Sequence, residues 1–161
     1  PSEGHLLPTL NFSVRRSVID DVGPMDESFP GAAGEDTDWC HRMRLAGYTL
    51  QFAPQATVRH APARTTWPDI VRHLRNAGNA GVRVRLRYRR YYDTPRFVES
   101  AWLLRLLSPL IAARVTLRIY ANPLLWSQLR YLPVVYVTKI IYCLGAARSV
   151  SSGFAFDATR R

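Results

Sequence analysis

Gly34-Glu35-Asp36-Thr37-Asp38-Trp39-Cys40-His41-Arg42-Met43-Arg44-Leu45-Ala46-Gly47-Tyr48 is the stretch on which the reading of this chain turns. Its spacing predicts a helix over Glu35 to Ala46. Trp39, Met43 and Ala46 recur at i, i+4 and i+7 and define an inward stripe. Asp38 and Arg42 stand four apart, where an acid and a base meet on a helix surface. Gly47 sits where a left-handed C-terminal cap belongs. The first turn carries three acids, Glu35, Asp36 and Asp38, and two readings of them stand side by side. Acids there meet unpaired backbone N–H groups and the positive end of the helix dipole, which is capping. Three acids in four residues exceed what a cap needs, and a carboxylate at a loop–helix junction is well placed to take a proton from a bound hydroxyl. Composition does not choose between the two.

Outward from this helix, the alternation of Thr9-Leu10-Asn11-Phe12-Ser13-Val14 predicts a short strand. Arg15 to Val22 follows as a short helix stopped by Gly23-Pro24, and Met25 to Gly34 reads as an acid-rich loop. Tyr48 to Phe52 and Ala56 to His60 read as two more strands around Pro54. This order predicts an α/β class, although three short strands make a poor sheet by themselves. The further strands are expected upstream of Pro1, and the chain is expected to be part of something longer.

The 161 residues carry 22 Lys+Arg against 12 Asp+Glu, a net charge of +10, and only one of the bases is lysine. The charge is uneven. Residues 1–70 have a balance of −3, whereas residues 71–161 hold sixteen bases against Asp93, Glu99 and Asp157, a balance of +13. Such asymmetry points the basic half at something anionic, a nucleic acid or a lipid surface. Two cysteines, Cys40 and Cys143, exclude a disulfide-stapled miniprotein and an all-cysteine metal finger. They fit a reduced, cytosolic chain. A hydrophobic content of 47% excludes a disordered tail.

Three ordered motifs then point to one family. Asn11-Phe12-Ser13-Val14-Arg15-Arg16-Ser17-Val18-Ile19-Asp20-Asp21-Val22-Gly23-Pro24-Met25-Asp26-Glu27-Ser28-Phe29, the Gly34–Tyr48 stretch and Val58-Arg59-His60 together resemble the corresponding segments of family-2 glycosyltransferases. The resemblance implies the C-terminal, acceptor-side part of a GT-A fold over residues 1–66. It also implies a nucleotide-sugar donor and inverting transfer of a hexosyl group to a hydroxyl acceptor, a glycan or lipid-linked species of the cell envelope. Asp36 would be the catalytic base, with Glu35 orienting the acceptor. Asn11 would lie near the sugar, and Asp38 would support the helix and the substrate side of the site. His60 would stand close to a divalent cation, Mg or Mn, held mostly by residues outside this chain; its other reading is a surface imidazole at a strand end. No Asp-x-Asp precedes Asn11, so the chain alone is expected to transfer no sugar.

The second region, residues 67–161, reads as helical, basic and amphipathic. Trp67 to Arg90 predicts one helix with Ile70, Leu74, Ala77, Gly81 and Val84 as a broken apolar stripe and seven arginines from Arg72 to Arg90 around it. By the same resemblance, Arg72 and Arg75 would face a donor diphosphate or an anionic lipid carrier. Phe97 to Tyr120 and Pro123 to Ala147 are apolar but interrupted by Arg105, Arg114, Arg118, Arg130 and Lys139. Such charges favour lying in a membrane interface over spanning it, so the protein is expected to be peripheral on the cytoplasmic face of the membrane. The other reading is a helix pair packed on the catalytic part or on a second copy. Residues 148–161 read as a polar tail. A nucleic-acid-binding module is the rival for the basic half, disfavoured by the long Leu/Val/Ile runs. A metal hydrolase built on Glu35, Asp36, Asp38, His41 and His60 is the rival for the acidic half.

Overall fold

The computed structural model describes residues 2–4, 6–29, 33–61 and 64–154. The chain divides into two compact units, one built from residues up to 63 and the other from Arg64–Phe154.

In the first unit, helix α1 (Arg16–Val22) and helix α2 (Glu35–Leu45) form where the spacing predicts them. α1 stops at Gly23, whose positive φ of 76° only glycine adopts readily, and Gly47 beyond α2 has φ 89°. Trp39 and Met43 are buried with Cys40, Val18 and Leu50, and Phe12 stacks obliquely on Trp39 at 5.7 Å between centroids. Ala46, expected in the inward stripe, is exposed because the helix has ended there.

The strands differ from expectation. Strand β1 (Ser2–Glu3) and strand β2 (Gln51–Phe52) pair antiparallel, Ser2 opposite Phe52, and this is the sheet among the described residues. Thr9–Asn11 is a turn of 3-10 helix instead of a strand. Phe12 has extended φ and ψ of −124° and 129°, and Ala56 to His60 runs without a ladder. The residues have strand-forming side chains, but a strand exists only where a neighbour completes its hydrogen bonds, and among the described residues none does here. Residues 30–32 of the expected loop and 155–161 of the expected tail lie outside the described residues.

The second unit is helical. Helix α3 (Trp67–Arg87) is about 32 Å long at 1.5 Å per residue. Thr66 caps it by accepting the Asp69 N–H, and Pro68 occupies its first turn. It ends at Arg87, three residues short of the expected Arg90, with Tyr88 as its C-cap. Helix α4 (Ala101–Tyr120) is capped by Ser100, which accepts the Leu103 N–H. Pro109 inside α4 cannot donate to the Arg105 carbonyl, and the Ser108 hydroxyl donates to that oxygen instead at 2.8 Å. A 3-10 helix, Pro123–Tyr131, then leads into helix α5 (Leu132–Ser152). The apolar segment from Pro123 is thus two elements, and α5 continues through residues 148–152, read as tail.

α5 packs along both α3 and α4. The α3–α5 seam is made by glycine. A Cβ at Gly78 would lie on the Tyr142 carbonyl oxygen, and one at Gly145 would lie on the Arg75 backbone. One at Gly81 would meet the Tyr142 hydroxyl, the far end of a side chain. Ala146 and Ala147 continue the close approach into a core with Val82, Val98 and Leu104. Arg83 adds a polar tie, its Nε donating to Asn79 at 2.9 Å and to the buried Ser149 hydroxyl at 3.2 Å.

Gly78→Val and Gly145→Val should each destabilise the second unit by about 3 kcal/mol or more, because backbone must move apart. Gly81→Ala should cost clearly less, since Tyr142 can rotate. Chemical unfolding followed by helical circular dichroism checks the order; equal losses at all three positions would overturn the seam.

Candidate functional site

The first turn of α2 treats its three acids differently, and helix geometry is the reason. Successive residues turn by about 100°, so Asp36 and Asp38 project about 200° apart. Asp38 faces inward. It has no exposed side-chain surface, and Arg42, 4% exposed, donates to its Oδ2 through Nε at 2.9 Å. The i, i+4 pair forms as the spacing predicts. The guanidinium continues past it: Nη1 donates to the Val22 carbonyl at 2.5 Å and Nη2 to the Pro24 carbonyl at 2.7 Å. These lie at the end of α1, where carbonyls lack helical partners. Trp39 adds an indole N–H to the Gly23 carbonyl at 2.9 Å. Asp38 therefore binds structure, and the expectation that it contacts substrate does not match a carboxylate with no exposed surface.

Asp36 and Glu35 sit half-buried on the same turn. Asp36 Oδ1 accepts from the Thr37 N–H at 2.7 Å and from the Thr37 hydroxyl at 3.3 Å. Among the described residues, both hydrogen bonds thus fall on one oxygen. Glu35 Oε2 is buried and has no hydrogen-bond partner among the described residues. A buried carboxylate oxygen without a donor costs free energy, so such an atom requires an explanation. Capping accounts for one oxygen of Asp36 and leaves Glu35 unexplained.

Beside the α1–α2 core lies an open cavity of about 740 Å³. Phe12, Val18, Met43 and Leu50 supply its apolar lining, and Asn11, Tyr48 and Gln51 its polar one. Asn11 also ties two distant segments together, its Nδ2 donating to the Ala56 carbonyl at 2.7 Å. Tyr48 donates to Asp21 at 3.0 Å, and that bond raises the phenol's pKa. Neither Glu35 nor Asp36 is among the residues lining this cavity. Sequence reading missed the cavity because its walls come from residues 7–18 and 43–58, and only folding brings them together.

His60 lies exposed on the extended segment after β2. Among the described residues no three His, Cys, Asp or Glu side chains gather as metal ligands would. One exposed imidazole is not by itself a cation site, and no step is routed through a cation here. The rival metal hydrolase loses its ligands in the same way. His41 is buried in the α2 core, and its pKa is lowered, first by burial and then by Arg44, against a smaller opposing effect of Asp38.

Arg72 and Arg75 belong to the second unit, both exposed on α3, with Arg72 paired to Asp69 at 3.1 Å. Other arginines of this run are engaged. Arg83 lies over Phe154, Arg85 over Tyr92 and Arg87 over Tyr88, and Arg89 pairs with Glu99.

The family described as glycosyl transferase family group 2 matches residues 6–150. The chain belongs to that family, and the match runs across both units. No curated protein and no solved structure matches it.

Two outcomes follow for the first unit. Arg42→Ala should cost about 3–5 kcal/mol, since it strands a buried carboxylate, and thermal melting should register the loss. His41 has a folded pKa below its ordinary 6.5, so the unfolded chain takes up the proton first. Stability should hold above about pH 6.5 and decline as pH falls below it, and His41→Gln should flatten that slope. A Tm that rises on acidification would contradict the assignment.

Proposed function

We propose that this chain carries the acceptor side of an inverting GT-A hexosyltransferase that uses a nucleotide-sugar donor. One observation carries the reading: the head of α2 holds two adjacent carboxylates with acceptor capacity left over, Glu35 Oε2 without a partner and Asp36 bonded through one oxygen among the described residues. Family membership supports glycosyl transfer as the chemistry.

Asp36 is the base. Its second oxygen takes the proton of an acceptor hydroxyl as that oxygen attacks the anomeric carbon. The bond from that carbon to the nucleoside diphosphate breaks as the new glycosidic bond forms, inverting the centre, and the proton then passes from Asp36 to water. Glu35 accepts a hydrogen bond from a neighbouring hydroxyl of the acceptor and fixes its approach. The buried Asp38–Arg42 pair holds the turn that carries both groups. Asn11 contributes on the sugar side. With strands of two residues each, the described sheet is no nucleotide-binding platform, and in this reading donor-binding strands come from polypeptide outside these 161 residues. The second unit, basic and apolar, keeps the enzyme at the cytoplasmic membrane surface, where lipid-linked or envelope glycan acceptors are presented.

Asp36→Asn, in a transferase that includes the donor-binding strands, should lower kcat by roughly 10²–10⁴-fold with little change in donor KM. Glu35→Gln should raise acceptor KM more than it lowers kcat. Unchanged turnover in Asp36→Asn removes Asp36 from the mechanism, and transfer by the 161-residue chain alone removes the need for an added donor half.

A further inference from the structure

The 3-10 helix Pro123–Tyr131 has no buried residue. Runs of this helix beyond three or four residues are uncommon, and this one is held by its ends: Trp126 donates its indole N–H to the Tyr120 carbonyl at 3.2 Å, and the Tyr120 hydroxyl donates to the Gln128 carbonyl at 3.0 Å. A fixed turn thereby presents Leu124 at 84% exposure, Trp126 at 60% and Leu129 at 48%. α4 adds a second apolar row. Trp102, Leu106, Leu110 and Leu117 are all exposed, and their spacing keeps them within about 80° of arc on one helix face.

We infer that this turn, with the exposed row of α4, is a wedge that inserts into the surface of an anionic lipid bilayer. The charges select the occupant. From residue 100 to 154 the sequence has no Asp or Glu and six bases, among them Arg114 and Arg118, both exposed on α4, and Arg130 beside the turn. A soluble protein partner would leave that uniformly positive rim to be matched acid by acid, whereas an anionic leaflet attracts every base near it. Tryptophan at the edge of an apolar patch suits the headgroup boundary. The stretch Pro123–Ser152 is long and apolar enough to cross a membrane by length and composition, and 17% of its most apolar window is buried within the protein. This inference rests on the membrane reading of the second unit and makes no use of the transferase reading.

The test is binding of the protein to vesicles of phosphatidylcholine mixed with phosphatidylglycerol, and to phosphatidylcholine alone. Sedimentation with the mixed vesicles is expected, with Trp fluorescence quenched by brominated acyl chains and the quenching reduced in Trp126→Phe. Leu124→Glu/Leu129→Glu should weaken binding about tenfold or more, from loss of apolar insertion. These side chains have little packing to lose, so helical circular dichroism should be unchanged. Arg114→Gln/Arg118→Gln should weaken binding to the mixed vesicles roughly fivefold per charge. Absence of vesicle binding, or binding that ignores the glutamates, would overturn the wedge. So would a dimer seen by light scattering that the glutamates dissolve in a protein without lipid affinity, which would assign the face to a second copy. Transfer activity is not read, so failure here leaves Asp36 untouched.

Discussion

Arg42 sets the geometry of the first unit. A guanidinium removed from water must have its donors satisfied, and here they reach the Asp38 carboxylate and the carbonyls of Val22 and Pro24. Those carbonyls lie at the end of α1 and two residues beyond it, so one side chain closes the open end of one helix while fixing the first turn of the next. Lysine could not do the same, having a single nitrogen where the fork needs three directions. The position of Glu35 and Asp36 depends on this clamp, because both stand on the turn that Asp38 anchors.

The same turn shows how one cluster of acids separates into roles. Asp38 is consumed by structure, and its worth lies in complete pairing. Asp36 is half-consumed, taking the Thr37 N–H and hydroxyl on one oxygen. Glu35 keeps a buried oxygen unpaired among the described residues. A buried carboxylate oxygen without a donor costs free energy, and that oxygen is the acceptor the proposed reading assigns to a substrate hydroxyl. The capping and catalytic readings of these acids are therefore compatible: they describe different oxygens.

The second unit obeys another rule. Along the α3–α5 seam, glycine and alanine let backbones touch, and dispersion between close surfaces replaces large interlocking side chains. The large apolar residues face outward on α4 and on the turn that follows it. Small residues line the seam and large apolar ones face outward, the inverse of the usual arrangement of a helical protein in water.

The helices of the first unit were legible in the chain because their causes are local: the four-residue spacing of Asp38 and Arg42 and the glycines at 23 and 47. The family was legible because its motifs are contiguous. Strands were overread, since Thr9 to Val14 and Ala56 to His60 have the right side chains, yet pairing is a property of two segments and a sequence window contains one. Asp38 was placed too near the substrate for a related reason: counting acids does not show which way each one points. Local sequence decided the helices, their ends and the chemistry on offer at the head of α2. Tertiary structure alone decided which acid was buried, which glycines became a seam and which leucines met the outside, because burial is set by what lies across the fold from a residue and not by its neighbours in the chain.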